Sequence, residues 1–144
     1  MITYETKIEI DQPSNIVFDN LMDMDKSKQW MTGLEDIKIT EGKLGEVGSK
    51  LQLTFNEKGK RIIFDEQLVH IKPNESFGLK LENKQVSMTS EVHLKNFKSN
   101  TELLMINGVQ GKGLMMKLIL PFFKKAMIKK QTNDLQNLKQ MIEK

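Results

Sequence analysis

The chain reads as an α+β domain, a strongly twisted antiparallel sheet of about seven strands curled around one long C-terminal helix. Three observations carry that reading. From Gly113 to Lys144 apolar residues recur at helical spacing: Met116, Ile119 and Leu120, Phe123, Met127, then Leu135, Leu138, Met141 and Ile142, with lysines and glutamines on the other faces. From Glu35 to Val109 the chain is nearly all strand and turn, with apolar and polar residues alternating. Two short helical stretches follow the first strand. Strands this short cannot bury their apolar faces alone, so the long helix is the natural cover for the concave side, an arrangement that tends to leave a cavity between sheet and helix.

Taken in order, residues 3–11 alternate, with Tyr4, Thr6, Ile8 and Ile10 on one side and Glu5, Lys7 and Glu9 on the other, as in a half-buried strand. Asp11-Gln12-Pro13-Ser14 breaks it and opens a helix, with Ser14 or Asp11 as cap and Pro13 near the first turn. Ile16, Val17, Leu21 and Met22 mark one face of that helix through Asp23, and a second runs from Asp25 to Met31 before Gly33. Trp30 packs this pair onto the sheet, and would also contact a guest if it lined a cavity. Strands follow over Glu35–Glu41, Ser49–Glu57, Lys60–Lys72, Glu75–Glu82, Val86–Phe97 and Thr101–Val109, with Glu57-Lys58-Gly59-Lys60 as a hairpin turn. The strand Lys60–Lys72 has two competing registers. One faces Ile62, Phe64, Glu66, Leu68 and His70 inward, the other Ile63, Asp65, Gln67, Val69 and Ile71, and a bulge would mix them. Pro121 interrupts the long helix, because it lacks the backbone donor and clashes with the preceding turn at a cost of ~3 kcal/mol. Leu114–Leu120 is therefore expected as a separate turn or a kinked first part, either packed in the core or forming a flap over a cavity mouth.

The chain has 144 residues, 38% hydrophobic and 28% charged, proportions that suit a single domain spanning 1–144 with one real core. There is no cysteine, so thiolate metal sites and cysteine nucleophiles are excluded. The N-terminus lacks a secretory pattern, which makes a cytoplasmic location the expectation. Arg61 is the only arginine among 22 basic residues, which argues against a reader of nucleic-acid base edges. Lys112, Lys117, Lys124, Lys125, Lys129 and Lys130 fall in a stretch without an acid. This is either a solvated helix face or a surface for an anionic membrane or acidic partner, so peripheral membrane contact through Lys112–Lys130 stays open.

Four segments resemble the START/polyketide-cyclase (SRPBCC) superfamily, whose architecture is the helix-grip fold. IDQPSNIVFDNLMDMDKSKQWMTGL resembles that family's PxxVWxxLxDxxxxPxW segment, with Phe18 at the usual tryptophan position. GEVGSKLQLTF resembles its GxGSxxxxxF strand, and LVHIKPNESFGLKLE its strand–proline turn–strand step. NTELLMINGVQGKGLMMKLILPFFKKAMIKKQTNDLQNLKQMIE resembles the last strand and long helix, proline included. The resemblance implies a deep apolar pocket for lipids, polyketides, quinones or hormones. Family members include cyclases and dehydratases, lipid and ubiquinone carriers, and assistants of a chaperone ATPase. These are fold motifs, and none carries a catalytic residue across.

Residues able to do chemistry are few. His93 falls on the outward set of its strand with Glu91 and Lys95. Glu66 and His70 could form an acid/base pair if they shared the cavity, and they are the weak catalytic candidates. No H-x-x-x-H or Cys/His cluster suggests a metal, no G-x-S-x-G elbow a serine nucleophile, and no phosphate loop a nucleotide, so neither metal nor cofactor is expected. The inward registers supply the candidate ligand-binding lining: Tyr4, Thr6, Phe55, Met88, Ser90, Met105 and Asn107, with Trp30 and Phe123 from the helices. Tyr4, Ser90 and Asn107 either orient a guest or hydrogen-bond one another, backbone or buried water. The expected function is non-catalytic holding of a hydrophobic small molecule or lipid, with a cyclase- or dehydratase-type enzyme and an interaction module as alternatives.

Overall fold

The computed structural model describes residues 1–144. Strand β1 (Ile2–Ile10) leads into α1 (Ser14–Met22), a single 3-10 turn (Met24–Lys26) and the short α2 (Ser27–Trp30). Six strands follow: β2 (Leu34–Glu41), β3 (Lys50–Glu57), β4 (Lys60–Lys72), β5 (Ser76–Glu82), β6 (Val86–Phe97) and β7 (Asn100–Gly111). The C-terminal third is α3 (Gly113–Ile119), a 3-10 turn (Leu120–Phe123) and α4 (Lys124–Glu143). All seven strands form one antiparallel sheet in the order β1-β7-β6-β5-β4-β3-β2, so β2 to β7 meander and β1 closes against β7. This is the expected helix-grip α+β architecture.

Local chemistry explains the punctuation. Lys58 and Gly59 both have positive φ, 52° and 86°, as a two-residue type I′ hairpin requires. Pro13 itself occupies the cap position of α1 and no side chain caps it; Ile16 and Val17 N–H donate to the Pro13 carbonyl, so neither Ser14 nor Asp11 has the expected capping role. Pro121 ends the regular helix as expected, and the chain crosses it as a 3-10 turn between α3 and α4.

The core lies between the concave sheet face and the C-terminal half of α4. Leu135, Leu138 and Ile142 pack with Ile8, Ile10, Val17, Phe18, Trp30, Leu68, Phe77, Val92, Leu94 and Leu103. Each such aliphatic side chain contributes roughly 2 kcal/mol by leaving water. A buried carboxylate adds a polar tether: Asp134 on α4 accepts from the Thr32 backbone N–H at 3.0 Å and pairs with Lys130 at 2.9 Å, holding the link between α2 and β2 to the helix. No helix is long and apolar enough to cross a membrane.

Candidate functional site

β4 resolves its two registers by using both. The ladder with β5 shifts between Leu68 and His70, so Val69 is the extra residue of a bulge. Before it Ile62, Phe64, Glu66 and Leu68 face the helix; after it Ile71 does, and His70 points to the outer face. There His70 Nε2 lies 2.7 Å from Glu91 Oε2, above Gly78, where a Cβ would meet the imidazole at 2.4 Å. The expected Glu66–His70 pair is corrected accordingly: the two side chains are on opposite faces of the sheet. His93 also points outward and is exposed.

The remaining lining candidates divide by position. Tyr4, Thr6, Met88, Ser90, Met105 and Asn107 lie together on the concave face of β1, β7 and β6, with Tyr4 opposite Asn107 and Asn107 opposite Ser90. Phe55 sits on β3 toward the other edge, stacked edge-to-face on Phe64 at 6.0 Å and covered by Lys130 at 5.2 Å. Trp30 is buried in the main core, and its indole N–H has no hydrogen-bond partner. Phe123 is 51% exposed in the 3-10 turn that interrupts the helical phase at Pro121, a further correction to its expected place in the buried lining.

The polar members of this wall largely satisfy one another. The Ser90 hydroxyl donates to Asn107 Oδ1. The Asn107 amide donates to Gln131 Oε1 at 2.7 Å, and the Thr6 hydroxyl donates to the same oxygen. Gln131 of α4 thus bridges helix and sheet, a role absent from the sequence reading. Its signal was a gap: one turn beyond Met127 the inward face of the helix lands on Gln131 before reaching Leu135. The Tyr4 hydroxyl takes no part, and burial raises its pKa above the ordinary value.

Exposure distinguishes two zones of the concave wall. Leu53, Leu103 and Val109 are at most 1% exposed, whereas Phe64, Glu66, Leu79, Leu81, Met88 and Met105 face inward yet remain only half-buried. Water therefore reaches the middle of the wall, across β4, β5 and β6, between the sheet and α4. Within this cleft Glu66 stands between Leu51 on β3 and Leu81 on β5, with Phe64 and Leu68 on its own strand. No donor or cation faces its carboxyl, and desolvation pushes its pKa up to about 7. Near neutral pH the group is divided between acid and carboxylate, able to donate or accept. Two shallow depressions of about 260 and 240 Å³ lie elsewhere, one bordered by Thr32, Lys129 and Asn133, the other by Gln29, Asn137 and Gln140. Both are polar-rimmed and touch neither Glu66 nor the Gln131 bridge.

No family model and no curated protein matches the chain. Solved structures do match its fold over nearly its whole length. The ZhuI aromatase/cyclase from Streptomyces sp. R1128 superposes with a TM-score of 0.81 at 13% identity, over 99% of this chain and 93% of that one. A Staphylococcus aureus protein of unknown function, SA2116, gives 0.76 at 16% identity over 99% and 94%. Ara h 8.0201 gives 0.69 at 14% identity over 95% and 97%. The chain therefore shares the helix-grip fold of these proteins. Identities this low speak to the fold alone.

Proposed function

We propose that the chain holds a hydrophobic small molecule or lipid in the cleft between the sheet and α4, without catalysing a reaction. The observation that carries this reading is the partly exposed apolar wall of Phe64, Leu79, Leu81, Met88 and Met105 around a carboxyl with no internal partner. Burying a guest there gains about 25 cal/mol per Å² of apolar surface. Glu66 supplies the orienting polar contact, as a hydrogen-bond donor to a carbonyl or an acceptor for a hydroxyl. Ser90 and Asn107 support the wall instead, because their hydrogen bonds are already made.

An enzymatic reading has one observation in its favour, a carboxyl whose pKa sits near neutrality in an apolar site, as a general acid or base needs. Its second group would be Tyr4. The two are on β4 and β1, four strand spacings and roughly 19 Å apart along the sheet, so they would act on opposite ends of one guest. The similar ZhuI protein is an aromatase/cyclase, which makes a polyketide-like compound the first candidate for turnover.

Native mass spectrometry of the freshly purified protein tests the carrier reading, with an apolar fluorescent probe titrated in parallel. A guest mass lost on denaturation is expected, together with probe binding abolished by Met88→Trp, which fills the cleft. Equal probe affinity in a folded Met88→Trp protein overturns the reading. Turnover of a bound polyketide that disappears in Glu66→Gln, with binding retained, would establish the enzyme instead.

A further inference from the structure

The segment between β7 and α4 is seated on one side only. Leu120 is buried with Tyr4, Val86 and Val109, Met116 packs beside it, and the α3 backbone lies so close to Gly111 that a Cβ there would meet Met116 C at 2.8 Å. The opposite side is apolar and protrudes: Leu114 is 76% exposed, Met115 75%, Leu118 65% and Phe122 85%. Leu114, Met115 and Leu118 share one side of α3 by their three- and four-residue spacing. Isolated exposed leucines are ordinary, but a contiguous apolar tip marks an interaction surface.

The charges around this tip are of one sign. Residues 103–133 contain six lysines and no acid. Lys112 pairs with Glu82 and Lys130 with Asp134, while Lys117, Lys124, Lys125 and Lys129 are exposed and have no carboxylate within ion-pair reach.

We infer that this segment docks the protein on an anionic lipid surface, Leu114, Met115, Leu118 and Phe122 entering the acyl boundary and the four unpaired lysines meeting the headgroups. Protruding side chains suit a fluid layer that closes around them, and lysines flanking an apolar face are the charge pattern of an interfacial helix. Two copies meeting through this patch would bring their unpaired lysines together, which disfavours self-association. The inference is independent of the cleft's guest.

The test is co-sedimentation of the full chain with phosphatidylcholine vesicles, with and without phosphatidylserine, at low and high salt. The protein is expected to pellet with the anionic vesicles only, and less at high salt. Lys124→Glu/Lys125→Glu should weaken binding at least about tenfold. Leu118→Ser/Phe122→Ser should weaken it on the order of a hundredfold and, since both residues are exposed, leave the fold intact. Glu66→Gln, a change in the cleft outside the cluster that seats Leu120, should bind vesicles as wild type does, so failure of the cleft reading and failure of this one are separately visible. Wild-type protein remaining in the supernatant, equal binding to neutral vesicles, or unchanged binding by the Leu118/Phe122 variant overturns the inference. So does a dimer in sedimentation equilibrium that those two substitutions dissolve, which would make the patch a self-interface.

Discussion

The two ends of the C-terminal third are both apolar at helical spacing and meet opposite fates. In α4, Leu135, Leu138 and Ile142 are 2%, 0% and 7% exposed against the sheet. In α3 and the turn after it, Leu114, Leu118 and Phe122 are 76%, 65% and 85% exposed. Periodicity specifies a helix with an apolar face; it does not specify what covers that face. The difference comes from what lies beneath. The far half of α4 rests on β1, α1 and α2, whereas α3 sits mainly on the end of β7, with Met116 beside Tyr4 and Val86, and turns its second apolar side outward.

The sharpest way to test this contrast is truncation on each side of it. Leu138→Ala should cost about 3–4 kcal/mol in chemical denaturation, because a fully buried leucine leaves a cavity. A loss under about 1 kcal/mol would mean that the far half of α4 is less firmly seated than its burial indicates.

Glu66 extends the comparison to the wall facing the helix. Its pKa near 7, above the ordinary 4.5, means that the folded chain binds this proton more tightly than the unfolded chain does. Its effect on stability is absent below the unfolded pKa, and stability then falls as pH rises toward the folded value, staying low above it. Glu66→Gln should therefore stabilise the protein by as much as about 3 kcal/mol near pH 8 and by almost nothing near pH 4. A gain independent of pH would show that the carboxyl is solvated.

Gln131→Ala comes next, at about 2 kcal/mol, since Asn107 and Thr6 would each keep a buried donor without an acceptor. Unchanged thermal stability would mean that water replaces the bridge. Smallest of all is Leu118→Ser/Phe122→Ser, expected to shift stability by no more than about 0.5 kcal/mol. A large loss there would erase the contrast, because it would reveal packing that the exposed side chains do not show.

Much of this fold was legible in the chain. Strand alternation located the strands, Lys58-Gly59 a hairpin, and Pro121 the break, because each is a local property of a few residues. The site was less legible. In β4 both registers carry apolar residues, and only pairing with β5 shows that Val69 is extruded and His70 turned outward. Gln131 looked like part of the polar face of α4, and its partners Thr6 and Asn107 lie 125 and 24 positions away in the chain. Phe123 fits the helical period of the apolar face and was expected inside, but the turn at Pro121 shifts its phase. Each of these depends on tertiary contact or on an altered helical pitch, and neither is written into a local pattern.

The bond from Asn107 and Thr6 to Gln131 also indexes the helix. Moving α4 by one turn, about 5.4 Å, would set Met127 or Leu135 opposite the same strands and drive Gln131 or Lys139 into the buried place of Leu135. Only one placement presents an amide oxygen to both donors, and every other leaves them empty. The bridge acts as a detent that gives α4 a single seat on the sheet. It follows that the depth of the cleft at that point is set by the protein before any guest arrives, because α4 has one place to sit.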